Sequence, residues 1–174
     1  KCSDWTYLVT AGKIGGDQES DNHLLIVKGA GADETDNAYG TLDYSQSAGG
    51  YMMIPSDSMC TNFDGQEFLY VSGRRIKESD GTSEPFLSKF SGGGSIAEVW
   101  TVPGADAEPN RYFEYVTAHS HDGSVLVSGT DMNGGDWLAF VSKYDVDGQH
   151  QWTWSYEGTD SNLQGLTGIT SSVQ

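Results

Sequence analysis

The stretch Asp136-Trp137-Leu138-Ala139-Phe140-Val141-Ser142-Lys143-Tyr144, followed by Asp145-Val146-Asp147-Gly148 and then Trp152-Thr153-Trp154, sets the reading of the whole chain. Two runs rich in Val, Phe and Trp are joined by an Asp- and Gly-bearing turn. That is a hairpin signal, because Asp and Gly tolerate the backbone angles that tight turns require. Upstream, residues 112–120 form another such run, and the turn His121-Asp122-Gly123 leads into Ser124-Val125-Leu126-Val127-Ser128-Gly129. The expectation is four short strands: 112–120, the run ending at Gly129, 137–144 and 150–156. No segment carries a sustained 3.6-residue apolar period with caps, so almost no helix is expected.

Outward from this stretch, the pattern repeats. Glycine-ended runs occur at Tyr7-Leu8-Val9-Thr10-Ala11-Gly12, Phe68-Leu69-Tyr70-Val71-Ser72-Gly73 and Ser124 to Gly129, with the glycines 61 and 56 residues apart. Lysine-ended runs follow at Leu25-Ile26-Val27-Lys28, Phe86-Leu87-Ser88-Lys89 and Phe140-Val141-Ser142-Lys143. Eleven residues after each lysine stands an aromatic: Tyr39, Trp100 and Trp154. Units of this length with four strands are the mark of propeller blades, which bury their faces by stacking on one another. Trp100 and Trp154 are therefore expected to pack between blades.

The fold expectation is all-β: a β-propeller-type array of four-stranded antiparallel blades, three repeats, part of a larger propeller. Residues 1–50 form a first, partial and degenerate blade, 51–110 a second and 111–160 a third. Residues 161–174, with Leu166-Thr167-Gly168-Ile169-Thr170, match the first strand of a next blade or a closing strand. Three blades are too few for an ordinary ring, so either further blades of a longer chain or several copies complete it.

Residues 127–154 resemble the bacterial seven-bladed propeller repeats and the related delta-60-type repeats. The third unit matches well, the second moderately through Gly73, Phe86, Lys89 and Trp100. In the first, Gly29 replaces the aromatic after the lysine and the turn reads Ala30-Gly31-Ala32-Asp33. The resemblance implies a fold and a place in large exported or cell-surface proteins, not an activity.

Charge narrows the partners. Nine Lys and Arg stand against 25 Asp and Glu, a net charge of −16. Such a surface repels phosphate backbones and anionic membranes, which argues against nucleic-acid binding and membrane association. The longest apolar runs, residues 24–27 and 137–141, are far too short for membrane insertion.

Few residues suggest chemistry. No nucleophile elbow, zincin motif or phosphate loop occurs, and no serine has a base and orienting acid beside it, so no catalytic residue is assigned and no cofactor is expected other than calcium. Asp17, Glu19 and Asp21 alternate along a Gly-containing loop and are the candidate calcium ligands, since calcium takes six to eight oxygens; solvated loop charge is the more ordinary explanation of them. His119 and His121 share a strand face at period two, half of a metal site without a third ligand. Trp5, Trp137 and Trp152 lie near loops and form a candidate partner surface, either for protein subunits or further blades, or for glycans stacked on the indoles. Cys2 and Cys60 stand ten and thirteen residues before Gly12 and Gly73, in equivalent turns of adjacent blades, where a disulfide would staple the first blade to the second. The functional expectation is a non-catalytic extracellular or cell-surface module that scaffolds or binds protein. The alternatives are a lectin-like propeller and a propeller enzyme whose site lies outside this segment.

Overall fold

The computed structural model describes residues 5–13, 22–30, 40–43, 50–77, 79–91, 96–102, 111–133, 136–156 and 168–169. All regular structure among them is β. The strands are β1 (Trp5–Lys13), β2 (Asn22–Ala30), β3 (Gly40–Asp43), β4 (Tyr51–Phe63), β5 (Gln66–Lys77), β6 (Ser83–Ser91), β7 (Ala97–Val102), β8 (Arg111–Ala118), β9 (Val125–Asn133), β10 (Asp136–Tyr144) and β11 (His150–Tyr156). They form three antiparallel meanders in chain order: β1-β2-β3, β4-β5-β6-β7 and β8-β9-β10-β11. The strand divisions read from the third repeat hold to within a few residues. The first unit has three strands among the described residues rather than four.

Gly73 and Gly129 do not end their strands as the sequence pattern suggested. They lie inside β5 and β9, at the point where the preceding strand bulges between Pro55 and Asp57 or between Phe113 and Tyr115. A β-carbon on Gly73 would overlap the Ile54 carbonyl oxygen, and one on Gly129 the Tyr112 carbonyl oxygen. Glycine recurs here because the bulge brings one backbone onto another, the usual reason for glycine within a strand.

The sheets stack face to face through two apolar layers. Between the first and second sheets, Ile26 packs with Met53, Leu69, Val71, Phe86 and Phe90, with Val9 and Cys60 at the margin. Between the second and third, Phe68, Tyr70 and Leu87 meet Phe113, Val127, Phe140 and Tyr144. The split follows from strand geometry: successive side chains point to opposite faces, so Leu69 and Val71 face one neighbour while Phe68 and Tyr70 face the other. A strand covered on both sides reads as a continuous apolar run, which is why β5 lacks the alternation of a half-exposed strand. Burial of these large side chains contributes roughly 1.5–3 kcal/mol each.

The edges β4 and β8 also meet. Asp57 Oδ2 accepts the Val116 backbone N–H at 2.9 Å, and Met59 Sδ accepts that of Ala118 at 3.1 Å. Two edge amides of the third sheet are thus held by side chains of the second.

Candidate functional site

The contact between the second and third sheets defines the chemistry of the stack. The β10–β11 turn is built by Asp145, whose Oδ1 accepts the Asp147 and Gln149 amides at 3.1 and 2.8 Å. Its Oδ2 accepts from Gln151 at 2.8 Å, so the carboxylate is occupied by its own turn. Gly148 closes the turn with φ of 79°, and a β-carbon there would press on the Trp100 ring. This turn leaves the Val146 carbonyl free to face the second sheet. Lys89 Nζ and Trp100 Nε1 both donate to that oxygen, each at 3.0 Å.

Lys89 is 3% exposed. Burial lowers its pKa from the ordinary lysine value, and the Asp147 carboxylate works against that shift. The ammonium group also lies 4.1 Å from the Phe68 ring centre and within 6 Å of the rings of Tyr70 and Trp100. Aromatic faces and a carbonyl take the place of water around a charge that would otherwise be costly to bury. Tyr70 completes the clasp: its hydroxyl donates to the Gly123 carbonyl at 3.3 Å. Desolvation pushes its phenol far above the usual range, so the donor proton is held.

The third sheet carries the same donor row on its other face. Register pairs Tyr70 with Lys89 and Lys89 with Trp100 in the second sheet. In the third it pairs Leu126 with Lys143 and Lys143 with Trp152. One row further, Leu87–Val102 corresponds to Val141–Trp154. Hydrogen bonds confirm the alignment: Ser88–Thr101 and Ser142–Thr153 are joined Oγ to Oγ1 at 2.7 Å in both sheets. The structural counterpart of Trp100 is therefore Trp152, not Trp154 as equal spacing from the lysine suggested. Trp152 follows Lys143 by nine residues where Trp100 follows Lys89 by eleven, so the tryptophan is displaced in sequence but not in space.

No described sheet covers this face. Trp152, Trp154 and Tyr156 are 45%, 54% and 47% exposed, with the rings of Trp154 and Tyr156 6.2 Å apart. Trp154 does not pack between sheets as expected; Trp100 does. Among the described residues Lys143 meets no carbonyl of another sheet, and it lies 3.6 Å from Asp122 Oδ2.

The remaining candidates are scattered. Asp17, Glu19, Asp21 and Cys2 lie outside the described residues. Trp5 and Trp137 fall at the starts of β1 and β10, as expected for strand entries. Cys60 lies four residues before Asp64 of the Asp64-Gly65 turn, inside β4 rather than in a turn, half-buried on the side of the first sheet, and it is not a free thiol. His119 and His121 belong to the β8–β9 turn rather than to a strand. Their rings are 6.1 Å apart, and His119 Nδ1 is 3.0 Å from Asp122 Oδ1. Among the described residues, no three His, Cys, Asp or Glu side chains gather as a metal site.

Sequence reasoning missed the two partly buried ion pairs, Arg75–Glu84 at 2.8 Å and Arg111–Asp131 at 2.9 Å. Arg75 and Asp131 stand at equivalent positions, two residues past Gly73 and Gly129, but they carry opposite charges and pair with different neighbouring strands, so no recurring residue type marks the pairs. No family model and no curated protein matches this sequence.

Proposed function

We propose that this chain is a non-catalytic β-propeller module of an extracellular or cell-surface assembly, acting as a scaffold and protein-interaction surface with its sheets as blades. One observation carries the reading. The row Leu126–Lys143–Trp152 repeats, in register, the row Tyr70–Lys89–Trp100 that holds the next sheet, yet it faces solvent. Apolar surface of this extent, rimmed by charge, marks an interaction site. The groups with altered proton affinity support a structural role: Lys89 and Tyr70 hold the sheet contact, and Asp122 holds a turn. The resemblance to exported repeats and a Cys2–Cys60 disulfide fit an oxidising compartment, and the charge of −16 favours protein partners over nucleic acid or anionic lipid.

The test is oxidative footprinting of Trp152 and Trp154 in the native particle as isolated from its source. Shielding of both indoles, with release when the particle is dissociated, is the expected result. Rapid oxidation of both in the native particle would overturn the reading.

The same exposed rings favour a second reading, a carbohydrate-binding propeller, because indole faces stack on sugar rings. Retention on a glycan array, lost on Trp152→Ala, Trp5→Ala or Trp137→Ala, would replace the first reading with this one.

A further inference from the structure

We propose that the β8–β9 turn binds a divalent transition-metal ion, copper(II) most tightly, between the imidazoles of His119 and His121. The inference stands on this turn alone and does not depend on the propeller reading.

The turn brings two imidazoles together. Its backbone is closed by the His119 amide on the Ser124 carbonyl at 2.8 Å and the Gly123 amide on the His119 carbonyl at 3.0 Å. The ring centres of His119 and His121 are then 6.1 Å apart. Two imidazoles sharing one ion, with nitrogen–metal distances of about 2.0–2.1 Å, have ring centres roughly 5–6 Å apart. A small rotation of the exposed His121 side chain closes the difference.

One of the two rings is already oriented. His119 Nδ1 lies 3.0 Å from Asp122 Oδ1. An ionised carboxylate only accepts, so Nδ1 carries the hydrogen and, in the neutral ring, Nε2 carries the lone pair. A carboxylate on one imidazole nitrogen is the outer partner that metal-binding histidines commonly have, and it fixes both tautomer and ring direction. Asp122 is itself held. The same Oδ1 accepts from the Ser124 hydroxyl at 2.7 Å and the Ser124 amide at 2.9 Å. Lys143 Nζ lies 3.6 Å from Oδ2. The carboxylate is therefore engaged on both oxygens and serves as a positioning group, not as a third ligand.

The donors select the ion. Imidazole nitrogens suit copper, nickel and zinc, whereas calcium and magnesium take oxygen. With two protein ligands and water in the remaining positions, copper(II) stands highest in the general order of affinity. The net charge of −16 raises the local concentration of any cation.

Titration of the metal-free 174-residue chain with copper(II) chloride, followed by calorimetry and electron paramagnetic resonance, tests the site. One saturable copper ion per chain is expected, with a nitrogen-ligand signature and tighter binding than zinc(II) chloride shows. Asp122→Ala should weaken binding about 10–100-fold, as loss of an outer-shell partner does, and His119→Ala or His121→Ala at least as much. His121 is exposed, so its replacement leaves the fold intact, which the far-ultraviolet β signal checks. His150→Ala, at an exposed histidine that begins β11, should leave the affinity unchanged. Absence of saturable copper binding, binding indifferent to His121→Ala, or a signal without nitrogen ligands would each overturn the proposal.

Discussion

Trp100 Nε1 and Lys89 Nζ converge on one atom, the Val146 carbonyl oxygen, each at 3.0 Å, although that oxygen belongs to the next sheet. Neighbours across β6 and β7 thus act as a pair on a turn 46 residues beyond Trp100. Either donor alone satisfies the carbonyl, and its partial burial makes complete loss costly.

This duplication is testable by a double-mutant cycle. Trp100→Phe and Lys89→Met should each cost about 1 kcal/mol or less as hydrogen-bond losses, because the carbonyl keeps one donor. The double variant should cost about 1 kcal/mol more than their sum, since the partly buried oxygen is then left without a protein donor. Urea unfolding of the four proteins measures the coupling, and strict additivity would refute it.

Gly73 and Gly129 should be the least replaceable glycines among those described. Alanine at either position sets a β-carbon against a neighbouring carbonyl and should cost about 3 kcal/mol through forced backbone movement. Gly50, where nothing lies within 4 Å, should show only the cost of its positive φ, about 1 kcal/mol. Thermal unfolding of the three alanine variants ranks them.

Asp122 supplies an acid-sensitive contribution. Partial desolvation alone would raise its pKa. Hydrogen bonds from the Ser124 hydroxyl and amide and from His119, with Lys143 nearby, outweigh that and hold the carboxyl well below the usual range. The folded chain therefore favours the ionised form. Its contribution is complete above about pH 4, the ordinary aspartate value, and fades as the pH falls further. The side chain is 45% exposed, so screening by water keeps the effect below about 1 kcal/mol. Denaturation midpoints between pH 2 and 7 should fall less steeply at the acid end for Asp122→Asn than for the parent.

A Cys2–Cys60 disulfide predicts a non-reduced intact mass two hydrogens below the reduced one, and a single cross-linked peptide pair after digestion. Reduction or Cys60→Ser should cost roughly 2–4 kcal/mol, by loss of a constraint on the unfolded chain. Two alkylatable thiols in the native protein would refute the pairing.

Much of the architecture was legible in the residues. Asp-Gly turns and apolar runs located β8 to β11, because both signals are local. The glycine recurrence was visible too, but its cause was not: the bulge at Pro55 or Phe113 lies in a different strand and leaves no mark on the glycine's own segment. The site was harder to place. Counting from the lysine selects Trp154, whereas pairing selects Trp152, because the stretch between equivalent paired residues, Phe90–Glu98 and Tyr144–His150, is two residues shorter in the third unit and leaves the Lys143–Trp152 row undisturbed. Exposure of that row depends on which sheet comes next in the stack, a property of the assembly that spacing cannot encode. Cys60 was misplaced into a turn for a related reason, since β4 runs on to Phe63.

The side chains that reach from β4 to β8 bear on aggregation. A strand edge with free amides invites another chain to add to it, the first step toward fibrils. Asp57 takes the Val116 amide and Met59 that of Ala118, so an incoming strand would find alternate rungs of β8 already filled, one of them by a carboxylate that repels an acidic newcomer. The same two contacts that join the sheets therefore also guard against amyloid-like growth, and a chain carrying Asp57→Ala should be the one that becomes prone to it.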